Sequence, residues 1–170
     1  MRRGRWPSLA LIAAVALTVA GCARHPLDQP FTARNELTRS LWLAEHGSKL
    51  GPRERTDLDD AFQQVKLEIM AEVPGLSAKD SAGLFFRALS GSTAREIIVR
   101  GLLIKHDRIA AEVADLVDRE TRFKRIDHAE LNVDQRIFLD EFAARMARRR
   151  DELELLEERR GIVESLGRDP

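Results

Sequence analysis

The chain has 170 residues with 28 basic and 28 acidic side chains, so it lacks the basic excess that marks a general nucleic-acid binder. Its single cysteine excludes an internal disulfide and a thiolate metal cluster. Tyrosine is absent, aromatic residues make up 5%, and Leu, Ala, Glu and Arg dominate, which predicts an all-α fold held by helix packing.

At the N-terminus, Arg2, Arg3 and Arg5 precede an apolar run from Leu9 to Ala20, which ends in Val19-Ala20-Gly21-Cys22. The run is shorter than the roughly 20 residues a membrane-spanning helix needs, and it matches the apolar core of a secretory signal. The Arg2-Arg3 pair lacks the surroundings of a twin-arginine signal, so general secretion is the expected route. The whole resembles a bacterial lipoprotein signal peptide, in which Val19, Ala20 and Gly21 lead to the cleavage point and Cys22 carries the acyl chains. That resemblance divides the chain into a signal peptide over 1–21, a lipidated cysteine and tether over 22–30, and one helical domain over 31–170. Ala23 stands where an aspartate commonly retains such proteins in the inner membrane, which implies the outer membrane, facing the periplasm. Losing the three arginines leaves the mature chain slightly acidic, and acylation leaves it no free thiol.

Pro26 and Pro30 predict an extended tether able to hold the domain as much as about 28 Å from its lipid. Thr32 is the expected N-cap of a first helix, with Phe31 as a hydrophobic staple and Leu37, Leu41 and Ala44 as its buried stripe. A second helix is expected from Thr56, boxed with Asp59, carrying Leu58, Phe62, Val65 and Ile69 on one face and stopped at Pro74-Gly75. Ser77 caps a short third helix whose apolar set is Leu84, Phe85, Ala88 and Leu89.

Thr93 and Glu96 form a T-x-x-E box opening a long helix with the stripe Ile98, Leu102, Lys105, Ile109, Val113, Leu116, Glu120 and Phe123. Asn132 caps a final helix with the seam Leu139, Phe142, Met146, Arg149, Leu153, Leu156, Arg160 and Val163. Three shorter helices followed by a long antiparallel helical hairpin is the predicted architecture. Arg149 and Arg160 on the seam need acidic partners, for which Glu112 or Glu120 are placed on the facing helix.

No catalytic constellation is visible. His25, His46, His106 and His128 form no H-x-x-x-H or H-E-x-x-H pattern, so no metal site is expected. The cluster Asp57, Asp59 and Asp60 lacks the glycine turn of a calcium loop and reads as first-turn acids complementing a helix dipole. Glu157-Glu158 lies in a nearly continuous charged run and reads as a solvated face, and no G-x-S-x-G elbow supports Ser90 or Ser92. Trp42 adjoins Leu41 and Leu43, so the three cannot share one narrow face. This makes Trp42, with Phe85 and Phe86, the candidate partner-binding surface.

The stretch from Leu89 to Ile98, LSGSTAREII, fits the pattern L-x-G-x-T-x-x-E-I-I. With the lipobox, it resembles a set of small bacterial envelope lipoproteins of unknown function, a similarity spanning about residues 32–110 that implies a turn plus helix cap and offers no catalytic residue. The expected function is a binding or scaffolding module, not an enzyme, with the covalent lipid on Cys22 as its only bound group. Its expected partners are the membrane and an envelope protein, with no nucleic acid. A pilotin-like or chaperone-like accessory using a cleft at Trp42 and Phe85 or Phe86 is the alternative, followed by an envelope hydrolase. In the native host, Cys22→Ala is expected to move the protein from the membrane to the soluble fraction, and globomycin to accumulate its precursor; unchanged fractionation in both cases would remove the anchor.

Overall fold

The computed structural model describes residues 25–123 and 131–167, so Val19, Ala20, Gly21, Cys22 and His128 lie outside the described residues. Within them the chain forms five α-helices, here α1 (Glu36–His46), α2 (Pro52–Glu72), α3 (Ala78–Leu89), α4 (Ala94–Phe123) and α5 (Val133–Ser165). Short 3-10 turns occupy Pro26–Asp28 and Gly47–Lys49. The expected all-α architecture, three shorter helices and then a long hairpin, is the one observed.

Three local expectations change. The segment read as a free tether is part of the core: Leu27 and Phe31 are fully buried, and Ala33 nearly so. Its prolines do not hold it away. Pro26 opens the 3-10 turn, where a missing N–H costs nothing, and Pro30 bridges antiparallel to Thr93. Phe31 N–H donates to the Ser92 carbonyl at 2.7 Å, Gly91 N–H to that of Phe31 at 3.3 Å, and Ala94 N–H to that of Gln29 at 3.2 Å.

The second change concerns the start and face of α1. Asn35, not Thr32, is its N-cap: Asn35 Oδ1 accepts from Thr38 N–H at 2.9 Å while Thr38 Oγ1 accepts from Asn35 N–H at 3.0 Å. The buried face carries Trp42, whereas Leu37 and Leu41 are 70% and 62% exposed. One indole outcompetes the leucine stripe because it has a larger apolar area and also a hydrogen-bond partner, its Nε1–H donating to the Pro30 carbonyl at 2.9 Å.

Third, α2 begins four residues before Thr56. Pro52 takes the first helical position, and the Glu54 carboxylate accepts from Gly51 N–H at 2.7 Å. Thr56 instead lies inside the helix and donates its hydroxyl to the Pro52 carbonyl. The predicted face of α2 is correct, with Leu58, Phe62, Val65 and Ile69 all buried.

The remaining caps are as expected. Ser77 Oγ accepts from Asp80 N–H, Glu96 accepts from Thr93 N–H at 2.7 Å, and Asn132 and Gln135 cap each other reciprocally at 2.9 Å. Gly91 turns the chain from α3 into α4 with φ of +86°, a conformation a β-carbon disfavours. The motif from Leu89 to Ile98 is thus a turn plus cap in this fold.

The core gathers around an aromatic chain. Phe31 lies 5.3 Å from Trp42 and 5.4 Å from Phe62, Phe62 lies 5.8 Å from Phe85, and Phe85 lies 5.0 Å from Phe86, centroid to centroid. α2 runs antiparallel against the start of α4, and the two backbones approach tightly at Gly101, where a β-carbon would sit 2.4 Å from Ala61 Cα. Glycine is therefore required there in spite of its poor helix propensity. Gly161 on α5 has no neighbouring heavy atom within 4 Å of the corresponding position.

These two glycines predict opposite outcomes for one substitution. Gly101→Ala should destabilise by about 1–3 kcal/mol through overpacking. Gly161→Ala should stabilise by about 0.5–1 kcal/mol through helix propensity alone. Urea unfolding followed by circular dichroism measures both; a shift of the same sign in the two variants would refute the close packing of α2 on α4.

Candidate functional site

The sequence-predicted surface is not a surface. Trp42, Phe85 and Phe86 are 4%, 0% and 6% exposed, and all three are members of the aromatic chain. Trp42 packs on Phe31 and His46. These rings therefore pack on one another in the core; what the sequence signalled as surplus apolar residues was one buried ring between an exposed Leu41 and a half-buried Leu43.

The hairpin is where charged and apolar side chains converge in unexpected ways. Residue numbers rise along α4 as they fall along α5: Lys105 pairs with Glu152 at 3.0 Å, Glu112 with Arg149 at 3.0 Å, and the Phe123 ring lies 5.3 Å from Phe142. This fixes the antiparallel register and gives Arg149 the Glu112 partner foreseen for it. Arg149 also donates to Glu152 at 2.7 Å, so Glu152 links cations from both helices. Every residue of the two predicted stripes is buried or half-buried. At Lys105 and Arg149, where apolar knobs are missing, the seam is closed by ion pairs.

A second ionic contact was not legible. Asp57 is 8% exposed, and its carboxylate accepts from Arg159 Nε at 2.7 Å, joining α2 to α5. It is five residues beyond the start of α2, so dipole compensation is not its role. This pair flanks a cleft of about 210 Å³ between α2, α4 and α5, whose wall includes Ala61, Gly101, Leu102 and Leu156. Several charged groups around the cleft are paired: Asp57 with Arg159 and Arg53, and Glu152 with Lys105. Gln64 contributes a buried Oε1 without a hydrogen-bond partner.

His106 meets Asp107 at 3.1 Å and Glu157 at 3.4 Å, but these carboxylates are 80% and 59% exposed, and the trio lies on the hairpin surface. His25 Nδ1 accepts from Leu27 N–H and caps the first turn. Among the described residues, no group of three or more His, Cys, Asp or Glu is placed to hold a metal ion, and no helix is long and apolar enough to cross a membrane.

The other unforeseen feature is apolar and lies at the far end of the hairpin. Val133, Ile137 and Phe138 are 73%, 52% and 52% exposed, and the Phe138 ring sits 5.6 Å from Phe123 in a T-shaped contact. Residues 132–138 are exposed without a break, and the heptad reading, centred on Leu139 and Phe142, passed over the apolar ones among them. No family model, no curated protein and no solved structure matches the chain.

Two charges on the seam carry a direction in pH. Burial pushes the Glu152 carboxyl up, but hydrogen bonds from Lys105 and Arg149 outweigh it, and the net position is below the ordinary glutamate value. The Glu152 hydrogen bond, followed by the attraction of Glu112, raises Arg149 further above its ordinary value. A lowered carboxylate contributes stability above its unfolded pKa of about 4.3 and loses it as pH falls through the lower folded value. Glu152→Gln is therefore expected to destabilise by about 1 kcal/mol or less at pH 7, with the difference from the parent vanishing in acid. Urea midpoints at neutral and acidic pH test this; an equal difference at both would contradict the seam pairing.

Proposed function

We propose that this chain is a lipid-anchored helical envelope protein that acts by binding or scaffolding, with Cys22 as the anchor and the hairpin as the arm that meets a protein partner. The observation carrying this reading is the exposed apolar group Val133, Ile137 and Phe138 at the end of the arm remote from the N-terminal segment. A β-carbon on Gly167 would meet the His25 ring at 2.8 Å, so the start of the described chain sits at the opposite end of the hairpin. Thirty residues of α4 separate the two ends by about 45 Å. The main core reaches only the first part of α4, to Ile98 with Leu102 and Ile104 against it. Beyond it, the buried apolar residues of the hairpin are Ile109, Leu116, Met146 and Leu156, with Leu131 just before α5. The arm thus projects past the body that anchors it.

Exposed aromatic and branched aliphatic residues clustered at such a tip have the character of a binding hot spot. The resemblance of the signal segment to lipoproteins, together with Ala23 after the cysteine, supports the periplasmic face of the outer membrane as the location. The pilotin-like alternative has a different structural basis, a groove of about 390 Å³ between α1, α2 and α3 with Met70, Leu76 and Phe85 in its lining. It would seat a short apolar segment, but without Trp42 or Phe86 in the wall.

The test is crosslinking of the lipidated protein in its own envelope from a photoreactive residue placed at Phe138. A discrete crosslinked partner is expected, and it should disappear when Ile137→Asp is added. Crosslinking from the groove at Met70 with none from Phe138 would favour the alternative, and none from either position would count against a binding role.

A further inference from the structure

The leucine stripe of α1, expected inside and found outside, is the feature that the binding reading leaves unused. Leu37 and Leu41 stand one turn apart, with exposed Ala44 continuing the row. Two charged residues of the same helix are drawn elsewhere. Glu36 pairs with Arg39 at 2.9 Å and Lys66 at 3.4 Å, and the Arg39 guanidinium lies over the Phe62 ring at 5.6 Å. The outward face carries leucine, alanine and serine, with the 72%-exposed Glu45 at its C-terminal edge.

We infer that this face of α1 rests in the boundary between lipid headgroups and acyl chains beside the Cys22 anchor, an inference that depends on the anchor reading above. The placement follows from chain length. Only Ala23 and Arg24 separate Cys22 from His25, and residues 29–31 are hydrogen-bonded to residues 91–94. The domain therefore has little slack with which to leave the bilayer, and α1 begins five residues after Phe31.

Two leucines are too few to hold a free protein on a membrane. Beside an anchor that has already ended free diffusion, the contact is intramolecular and forms at high effective concentration. A second copy of the chain fits the stripe less well: two leucines and an alanine cover far less than the roughly 1,000 Å² that a stable protein interface needs. The orientation of the molecule follows. α1 lies along α2, with Glu36 at Lys66 and the Gly47 carbonyl accepting from Arg55 Nε at 3.1 Å, and α2 lies along α4. The hairpin accordingly runs along the bilayer surface instead of standing up from it.

The experiment uses the full lipidated chain reconstituted in vesicles of phosphatidylethanolamine and phosphatidylglycerol. With Cys22 acylated, Leu37→Cys, Leu41→Cys and Asp151→Cys each supply a unique thiol at an exposed position, to be labelled with an environment-sensitive fluorophore. Probes at Leu37 and Leu41 are expected to shift to the blue and to be quenched by nitroxide-bearing lipids, while the Asp151 probe does neither. Solvated probes at Leu37 and Leu41 on protein that still floats with the vesicles would overturn the membrane face and leave the anchor intact. Probes shielded from water yet not quenched by the lipids would show that protein covers the stripe, and would overturn it equally. Protein that fails to float, with Cys22 reactive toward maleimide, would remove the anchor and this face together.

Discussion

The guanidinium of Arg95, 5% exposed, is bound on every side and joins three distant parts of the chain. Nε donates to the Asp28 carboxylate at 2.7 Å, Nη1 to the Val163 carbonyl, and Nη2 to the Leu166 carbonyl at 2.6 Å. A charge taken out of water is tolerable only when its donors are satisfied and an opposite charge lies beside it. Here both conditions are met by groups that have their own needs. The last turn of α5 has orphan carbonyls, and Arg95 takes two of them. The N-terminal turn has an acidic residue in its first turn, and Arg95 is its counter-ion. Because Arg95 is in the first turn of α4, the register of the hairpin and the docking of residues 26–31 are determined at the same place.

From that clasp the rest of the body can be followed outward. Docking residues 26–31 buries Phe31, and Phe31 is the ring on which both Trp42 and Phe62 rest. The position of α1 thus depends on a segment that has no regular structure of its own beyond one short turn. α2 is located separately, by the missing β-carbon of Gly101 and by the Asp57–Arg159 pair. Beyond the body, the two long helices rely on each other, and alternating apolar and ionic layers give them a single register. An apolar seam alone tolerates slippage by a heptad, whereas Glu112, Arg149, Glu152 and Lys105 pair in one alignment only.

Much of this was legible in the sequence because it is local. The caps at Ser77, Thr93 and Asn132 need only residues three apart, and the two hairpin stripes need only a repeating period. What was missed is long-range. Nothing near Asp57 indicates an arginine about a hundred positions away, and nothing near Arg95 indicates carbonyls at the other end of the chain. The prolines of residues 26–30 correctly forbade an α-helix but said nothing of whether Leu27 and Phe31 would be buried. On α1, periodicity weighed three small or aliphatic residues against one tryptophan and favoured the number; burial followed area and the indole hydrogen bond. The candidate site shared this fate, since hydrophobicity identified Trp42, Phe85 and Phe86 as notable without revealing that they are notable to one another.

The way residues 29–31 join the body has a mechanical consequence. A force drawn on the N-terminal end enters through hydrogen bonds from residues 29–31 to residues 91–94 and through the Asp28–Arg95 pair. It therefore passes directly into the start of α4 and the end of α5, and reaches α1 through the Trp42 indole on the Pro30 carbonyl. The load is shared among several bonds at one point of attachment, so the body can be tugged as a unit.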